Sequence, residues 1–263
     1  MPTVASGDGT TIAFDSLGTG PALVLIDGAT CHRDAGPMRP LAALMADRFT
    51  VYAYDRRGRG ASTDTLPFTV DREIDDIAAL IETAGGRAAL FGMSSGGALA
   101  IAAAARLGAS VSELAVYEVP VSIELDPVAI AYSRNLAEAL AAGRRGDAMA
   151  LFLARVGTPA EQIAGMRQAP IWAGFEAIAP TLAYDDAVLG DGLLPYRRID
   201  AVRIPAVVLS GEFAPEFIRE SARALATALE YGRHLELPGQ RHDVDLAVLA
   251  GALHQTLDAS LPG

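Results

Sequence analysis

The stretch Ala88-Ala89-Leu90-Phe91-Gly92-Met93-Ser94-Ser95-Gly96-Gly97-Ala98-Leu99-Ala100 decides the fold of this chain. An apolar run leads into Gly-x-Ser-x-Gly at 92–96, and an Ala-rich helical run follows directly at 98–106. A strand, this motif and a helix in succession are typical of a nucleophile elbow, a tight turn that strains its serine and exposes the hydroxyl. The outer glycines lack a Cβ, so the strand and the helix can approach closely. We therefore predict that Ser94 is a nucleophile and that the amide of Ser95, at the helix start, faces a negatively charged oxygen.

Outward from this stretch, strand-like and helix-like patterns alternate along the chain. The run at 22–26 is continuously apolar, as expected of a strand buried on both faces of a parallel sheet. Such alternation predicts an α/β protein with a doubly wound, mainly parallel sheet, in which ligands bind at the carboxyl ends of the strands. Further strands are predicted at 10–15, 50–54, 114–117, 206–209 and 234–237, and helices at 38–48, 70–83, 217–229 and 246–257.

The alternation of strand-like and helix-like patterns stops between residues 121 and 204. Helical patterns such as 128–142 and 147–156 occur there, and no clear strand run does. We interpret this segment as a helical insertion into a core domain formed by 1–120 and 205–263. With 263 residues, 51% of them hydrophobic, the chain is long enough to bury the large core that this division requires.

The amino-acid composition limits which partners and which cellular compartment we expect for this protein. The formal charge of −11 argues against a nucleic-acid partner, because no basic field is present to neutralise phosphates. The one cysteine, Cys31, cannot form an internal disulfide, and no signal peptide or apolar run of about 18 residues is apparent. The histidines and the cysteine do not have zinc-site spacing. We expect a cytoplasmic protein that acts on a small molecule and needs no metal, cofactor or membrane. The sequence leaves a homodimer possible.

Three further motifs accompany the elbow: Asp55-Arg56-Arg57-Gly58-Arg59-Gly60-Ala61-Ser62, Tyr117-Glu118-Val119-Pro120 and Gly239-Gln240-Arg241-His242. With these motifs the chain resembles the α/β-hydrolase fold family over nearly its whole length. The order serine, acid, histidine fits this family. The helical insertion stands where the family usually carries a cap over the active site. A narrower resemblance is to small bacterial hydrolases with Tyr-Glu-x-Pro after the sixth strand.

The proposed nucleophile needs a base, because a serine hydroxyl is nearly inert at neutral pH. His242, in the loop after the last predicted strand, is the candidate that the resemblance implies. The alternatives are a Gly/Ser-rich turn without chemistry at 92–96 and a surface histidine at 242. The strand and helix that flank the elbow favour the catalytic interpretation of both residues.

The acid departs from the family's usual pattern. The family places an Asp three residues after the glycine that ends the seventh strand. Here that glycine is Gly211, and Ala214 occupies the position. Glu118, at the end of the sixth strand, is the preferred substitute, and Glu212 is the alternative acid. Either carboxylate is long enough to hold the imidazole in one tautomer.

The resemblance also implies an oxyanion hole formed by the backbone amides of Ala29 and Ser95. The family's His-Gly after the third strand is replaced by Asp27-Gly28. Gly28 keeps the bend, and we expect the Asp27 carboxylate to point away or to pair with an arginine of the 55–62 turn. The candidates for the substrate pocket are Cys31, His32, Met93 and Trp172.

These residues together predict a serine hydrolase that cleaves an ester or a lactone of a small, fairly apolar molecule through an acyl-enzyme. Hydrolysis of a C–C bond, which uses the same residues, is the nearest alternative. A second alternative, from a different class, is a hydrolase-like scaffold that binds a ligand, or aids its cyclisation, without an acyl-enzyme.

Overall fold

A central sheet of eight strands organises the computed structural model, which describes residues 1–257. The strands are β1 Thr3–Ala5, β2 Thr11–Leu17, β3 Ala22–Ile26, β4 Thr50–Tyr54, β5 Ala88–Met93, β6 Val111–Tyr117, β7 Ala206–Gly211 and β8 Gly232–Leu237. Their order in the sheet is β1-β2-β4-β3-β5-β6-β7-β8. The pairs β1–β2 and β2–β4 are antiparallel, and every pair from β4 to β8 is parallel. The predicted mainly parallel α/β sheet is confirmed.

Helices cover both faces of this sheet. They are α1 Met38–Met45, α2 Val70–Thr83, α3 Ser95–Leu107, α4 Pro127–Ala141, α5 Arg145–Arg155, α6 Ala160–Met166, α7 Trp172–Ile178, α8 Leu182–Leu189, α9 Tyr196–Ile199, α10 Glu216–Ala228 and α11 Leu246–Thr256. The helix after the elbow therefore begins at Ser95, three residues before the Ala-rich run that predicted it. Within residues 1–257, no helix combines the length and the apolar character that crossing a bilayer requires.

The inner parallel strands, β3 to β7, bury side chains on both faces, which explains their continuous apolar runs. In β5, Leu90 packs in the cluster that the sheet forms with α2, α3 and α10. Its neighbour Phe91 packs in the cluster on the opposite face, with α1 and α11. The first strand, β1, has no such run, and the sequence does not predict it, because three residues at a sheet edge, two of them exposed, give no periodic signal.

The segment between β6 and β7 carries helices α4 to α9. Its own apolar cluster involves α4 to α8 and includes Leu136, Met149 and Trp172. Leu194 and Ile199, nearer its end, pack instead with the main cluster on the α3 face of the sheet. The division into a core and an insertion at 121–204 stays a prediction, since part of the insertion shares its packing with the core.

Candidate active site

Ser94 lies in a tight turn between β5 and α3, with φ 57° and ψ −129°. A Cβ on Gly92 would collide with the carbonyl oxygen of Gly96, and a Cβ on Gly96 would collide with that of Ile26. Both glycines are therefore sterically required where the strand, the helix and β3 meet. The turn has the geometry that the Gly-x-Ser-x-Gly motif predicts.

Strained backbone is concentrated around this turn. Among residues 1–257, three non-glycine residues have a positive φ: Thr30, Ser94 and Glu118. They follow β3, β5 and β6, which are consecutive neighbours in the sheet. Such strain costs free energy and is found preferentially at functional sites. The carboxyl edge of these three strands is therefore the candidate active site.

His242 is held at this edge by Glu118. The Glu118 side chain is buried, and its Oε2 lies 2.8 Å from His242 Nδ1. Its other oxygen, Oε1, accepts a hydrogen bond of 3.0 Å from the backbone amide of Gly211, at the end of β7. A carboxylate at Nδ1 favours the tautomer in which Nε2 is an acceptor. The imidazole is 55% exposed, so this second nitrogen is not enclosed by the core.

Backbone hydrogen bonds place the serine and the glutamate side by side. Met93 and Tyr117 are register partners in β5 and β6. The amide of Ser94 donates to the carbonyl oxygen of Tyr117 at 2.9 Å. Ser94 and Glu118, which follow this pair, are therefore neighbours at the ends of the two strands. The Tyr117 hydroxyl donates to the carbonyl oxygen of Arg241, which ties the loop before His242 to β6.

Glu212, the alternative acid, points elsewhere. Its side chain is exposed, and Oε2 accepts a hydrogen bond of 2.7 Å from the backbone amide of Gly239. Within the described residues, Glu118 and not Glu212 is hydrogen-bonded to His242. The geometry therefore favours Glu118 as the orienting acid.

The turn after β3 passes directly over the elbow. A Cβ on Gly28 would lie 3.1 Å from the Cβ of Ser94 and 3.7 Å from its Oγ. The next residue, Ala29, follows this close approach, and Thr30 reverses the chain with φ 63°. Ser95 follows Ser94 directly and begins α3. The role of the Ala29 and Ser95 amides as an oxyanion hole stays a prediction.

Of the two alternatives for Asp27, pairing with an arginine is not seen among residues 1–257. Its side chain is 1% exposed, and neither carboxylate oxygen has a hydrogen-bond partner among the described residues. Burial raises the pKa of Asp27 to about 7, although the charges of Arg59 and Arg56 oppose this shift. The guanidinium groups of these arginines are instead hydrogen-bonded to carboxylates from other parts of the chain.

The partner that these arginines share is Asp185, on α8. Its Oδ1 accepts from Arg56 Nη1 at 2.7 Å and from Ser95 Oγ at 2.8 Å, and its Oδ2 accepts from Arg59 Nη2 at 2.5 Å. Although burial opposes ionisation, Arg59 and Arg56 hold the pKa of Asp185 below its usual value. The sequence carries no local signal for Asp185 beyond an Arg-rich turn that needs acidic partners.

Two pocket candidates lie in the loop after the proposed oxyanion hole. Cys31 is half-buried, and burial, followed by the charge of Asp27, raises the pKa of its thiol to about 12. This favours a pocket residue over a second nucleophile, because the thiolate is the reactive form. The Nδ1 of half-buried His32 is buried and has no hydrogen-bond partner among the described residues.

The other two pocket candidates lie in different apolar clusters. Met93 ends β5 and packs in the core cluster beside α1 and α11. Trp172 is buried in the insertion, where Nε1 donates to Glu176 and the ring meets Phe175 edge-on. A pocket role for these two residues, as for Cys31 and His32, stays a prediction.

No group of three or more His, Cys, Asp or Glu side chains within residues 1–257 is arranged to hold a metal ion. The polar groups predicted for the site are a nucleophile, a base, an acid and two backbone donors, a set that acyl transfer can use.

Comparison with known proteins gives the family and supports the fold. Residues 18–250 match the family model described as alpha/beta hydrolase family. An alpha/beta hydrolase from Sphaerobacter thermophilus has a structure that aligns with a TM-score of 0.86 and 44% identity, covering 97% of this chain and 99% of that one. The enol-lactonase from Burkholderia xenovorans aligns with a TM-score of 0.64 and 24% identity over 97% and 96% of the two chains. The second likeness shows the fold alone.

A curated relative matches over a shorter stretch. The 2-(acetamidomethylene)succinate hydrolase of Mesorhizobium japonicum is 36% identical over 98 residues, which is 36% of this chain and 34% of the relative. The match therefore spans about a third of that protein's length.

Proposed function

The chain belongs to the alpha/beta hydrolase family, and on that premise we propose that it is a serine hydrolase that cleaves an ester or a lactone of a small, fairly apolar molecule. The observation that supports this most directly is the hydrogen bond between His242 Nδ1 and Glu118 Oε2, at the strand edge that carries Ser94. Acyl transfer needs a nucleophile on a strained turn and a histidine fixed by a buried carboxylate, and both features occur at this strand edge. Support for an apolar substrate comes from Ala29, which packs against the apolar cluster of the insertion.

In the proposed reaction, Ser94 Oγ attacks the carbonyl carbon while Nε2 of His242 takes the hydroxyl proton. The same proton passes to the leaving oxygen as the C–O bond breaks, which leaves an acyl-enzyme. Water then attacks the acyl group, gives a proton to His242 and releases the acid, and the proton returns to the serine. Glu118 keeps the imidazole in the productive tautomer and stabilises its transient positive charge.

The developing oxyanion is stabilised by the amides of Ala29 and Ser95. Donors of this kind are held in place before the reaction begins, and losing one typically costs about 10²- to 10³-fold in kcat. Both amides come from turns that the glycines at 28 and 96 permit, so the hole and the elbow depend on the same close packing.

The first experiment tests the nucleophile. Wild-type protein and Ser94→Ala are treated with a fluorophosphonate probe and assayed on short-chain p-nitrophenyl esters and on small lactones. We expect labelling and turnover in the wild type and neither in the variant. An unlabelled wild type without turnover would favour the non-hydrolytic scaffold.

A matched pair of variants tests the acid. Glu118→Gln and Glu212→Gln make the same chemical change, but only the first removes the carboxylate that touches His242. We expect kcat to fall by several orders of magnitude in Glu118→Gln, because the imidazole loses its tautomer and its counter-charge, and to stay near wild type in Glu212→Gln. The reverse result would make Glu212 the acid.

An amide bond is the second candidate for the scissile bond. The Mesorhizobium relative is a 2-(acetamidomethylene)succinate hydrolase, whose name contains an acetamido group. The same serine, histidine and glutamate would carry this reaction, with protonation of a nitrogen leaving group by His242. Turnover of p-nitroacetanilide in excess of p-nitrophenyl acetate would favour the amide over the ester.

A further inference from the structure

Asp185 connects the helical insertion to both sides of the proposed oxyanion hole. It lies on α8 and is 4% exposed. The first connection is direct, because its Oδ1 accepts the hydroxyl hydrogen of Ser95 at 2.8 Å. Ser95 begins α3 and supplies one of the two proposed amide donors, so this bond fixes the residue that carries the donor.

The second connection runs through Arg59. One nitrogen, Nη2, donates to Asp185 Oδ2 at 2.5 Å, and the other, Nη1, donates to the carbonyl oxygen of Gly28 at 2.7 Å. That carbonyl belongs to the same peptide group as the amide of Ala29. Because a trans peptide is planar, its C=O and N–H point in opposite directions, and holding the oxygen sets the direction of the N–H. A charged donor on the oxygen also polarises the peptide and strengthens the N–H as a donor.

Arg56 extends the network to the carbonyl group that precedes Gly28 in the chain. Its Nη1 donates to Asp185 Oδ1 at 2.7 Å and to the carbonyl oxygen of Asp27 at 3.2 Å. Its remaining nitrogens pair with both oxygens of Glu73 on α2. The two buried arginines thus face two buried carboxylates, and Asp185 is the carboxylate that both arginines share.

We propose that Asp185 is a positioning residue: it holds both proposed amide donors in place, Ser95 directly and Ala29 through an arginine. This inference rests on the proposed function, since it concerns the oxyanion hole of that reaction. It also makes the seating of α8 a condition for catalysis, because an insertion displaced from α3 would release both donors together.

The test compares Asp185→Asn with Asp186→Asn. The matched control makes the same change on the next residue of α8, whose carboxylate accepts from Ser133 Oγ and has no described contact with the hole. With p-nitrophenyl acetate, we expect Asp185→Asn to lower kcat by about 10- to 100-fold, less than outright loss of a donor, with KM within about twofold. Asp186→Asn should keep both constants near wild type.

A second readout separates positioning from general loss of structure. The rate ratio between p-nitrophenyl acetate and its thionoester reports on the hole, because sulfur is a weaker hydrogen-bond acceptor than oxygen. We expect this ratio to shrink in Asp185→Asn and to be unchanged in Asp186→Asn. An unchanged ratio in Asp185→Asn would overturn the proposal, even if kcat falls.

Further measurements distinguish misfolding of Asp185→Asn from failure of the proposed function. If Asp185→Asn fails to fold, Ser95→Ala decides, since it removes one hydrogen bond and keeps the amide. We expect a loss of about 3- to 10-fold in kcat with a smaller thionoester ratio, and a wild-type ratio would refute the proposal. If wild-type turnover does not depend on Ser94, the proposed function itself is wrong, which no Asp185 result can mimic.

Discussion

Replacing Asp27 by Asn should stabilise the protein more at pH 8 than at pH 5. Asp27 is 1% exposed and its carboxylate has no hydrogen-bond partner among the described residues, so its charged form is poorly solvated. Burial raises its pKa from 3.8 to about 7, against the opposing charges of Arg59 and Arg56 and with a smaller contribution from Asp55. Asn has nearly the same shape and cannot ionise, so the substitution removes the titration and little else.

Proton linkage gives the direction and the magnitude of the change in the free energy of unfolding with pH. The folded protein binds the Asp27 proton more tightly than the unfolded chain does, so the free energy of unfolding falls as the pH rises from about 4 to about 7. A gap of roughly three pKa units corresponds to at most about 4 kcal/mol once both states are ionised. At pH 5 only about 2 kcal/mol of this has been lost. The advantage of Asn over Asp should therefore grow by about 2 kcal/mol between pH 5 and pH 8.

The assay is urea unfolding of the wild type and Asp27→Asn at both pH values, with equal m-values required for the comparison. The difference between the two pH values cancels any fixed cost of burying an amide. Asp200→Asn, which makes the same substitution at an exposed position after α9, is the matched control. An Asp27→Asn effect that is equal at pH 5 and pH 8 would mean that Asp27 is ionised throughout, and the reasoning would be refuted.

Three other substitutions test the scaffold of the site. Gly96→Ala forces a Cβ into backbone carbonyls of the turn after β3, and we expect a Tm lower by more than 10 °C and loss of fluorophosphonate labelling. Tyr117→Phe removes the hydrogen bond to the Arg241 carbonyl; we expect about 1 kcal/mol less stability in urea and a severalfold lower kcat, and an unchanged kcat would argue against this tether. Arg57→Met leaves Asp76 buried without its partner, which should cost about 3–5 kcal/mol in urea unfolding, and a cost under about 1 kcal/mol would contradict this.

The sequence predicts those parts of the site that depend on neighbours in the chain. The elbow is such a part, because the strand, two glycines and the helix that enforce it lie within 88–107. Glu118 is another, because a buried strand ends directly before it and so places it at the ligand-binding edge. Both predictions use periodicity and steric rules that act over a few residues.

Asp185 and the state of Asp27 could not be predicted in this way. Asp185 meets Ser95 across 90 residues of chain, and the contact exists only because α8 folds back onto α3. The choice between the two alternatives for Asp27, pointing away or pairing with an arginine, could not be made for the same reason. Arg56 and Arg59 have partners from α2 and α8 that no local pattern reveals, and Asp27 is left with none among the described residues.

The strained backbone at Ser94 and Glu118 lies where hydrogen bonds fix the register of neighbouring strands. Residues held in unfavourable φ regions cost about 1–3 kcal/mol each, and they persist only where surrounding bonds leave no other choice. Here those bonds are between strands: the Ser94 amide donates to the Tyr117 carbonyl, and the Glu118 amide donates to the Leu209 carbonyl. A shift of one residue between β5 and β6 would break the first bond and turn alternate side chains to the opposite face of the sheet. The catalytic geometry proposed for Ser94 is therefore a property of the sheet, and the apolar packing that fixes the register also sustains the strain.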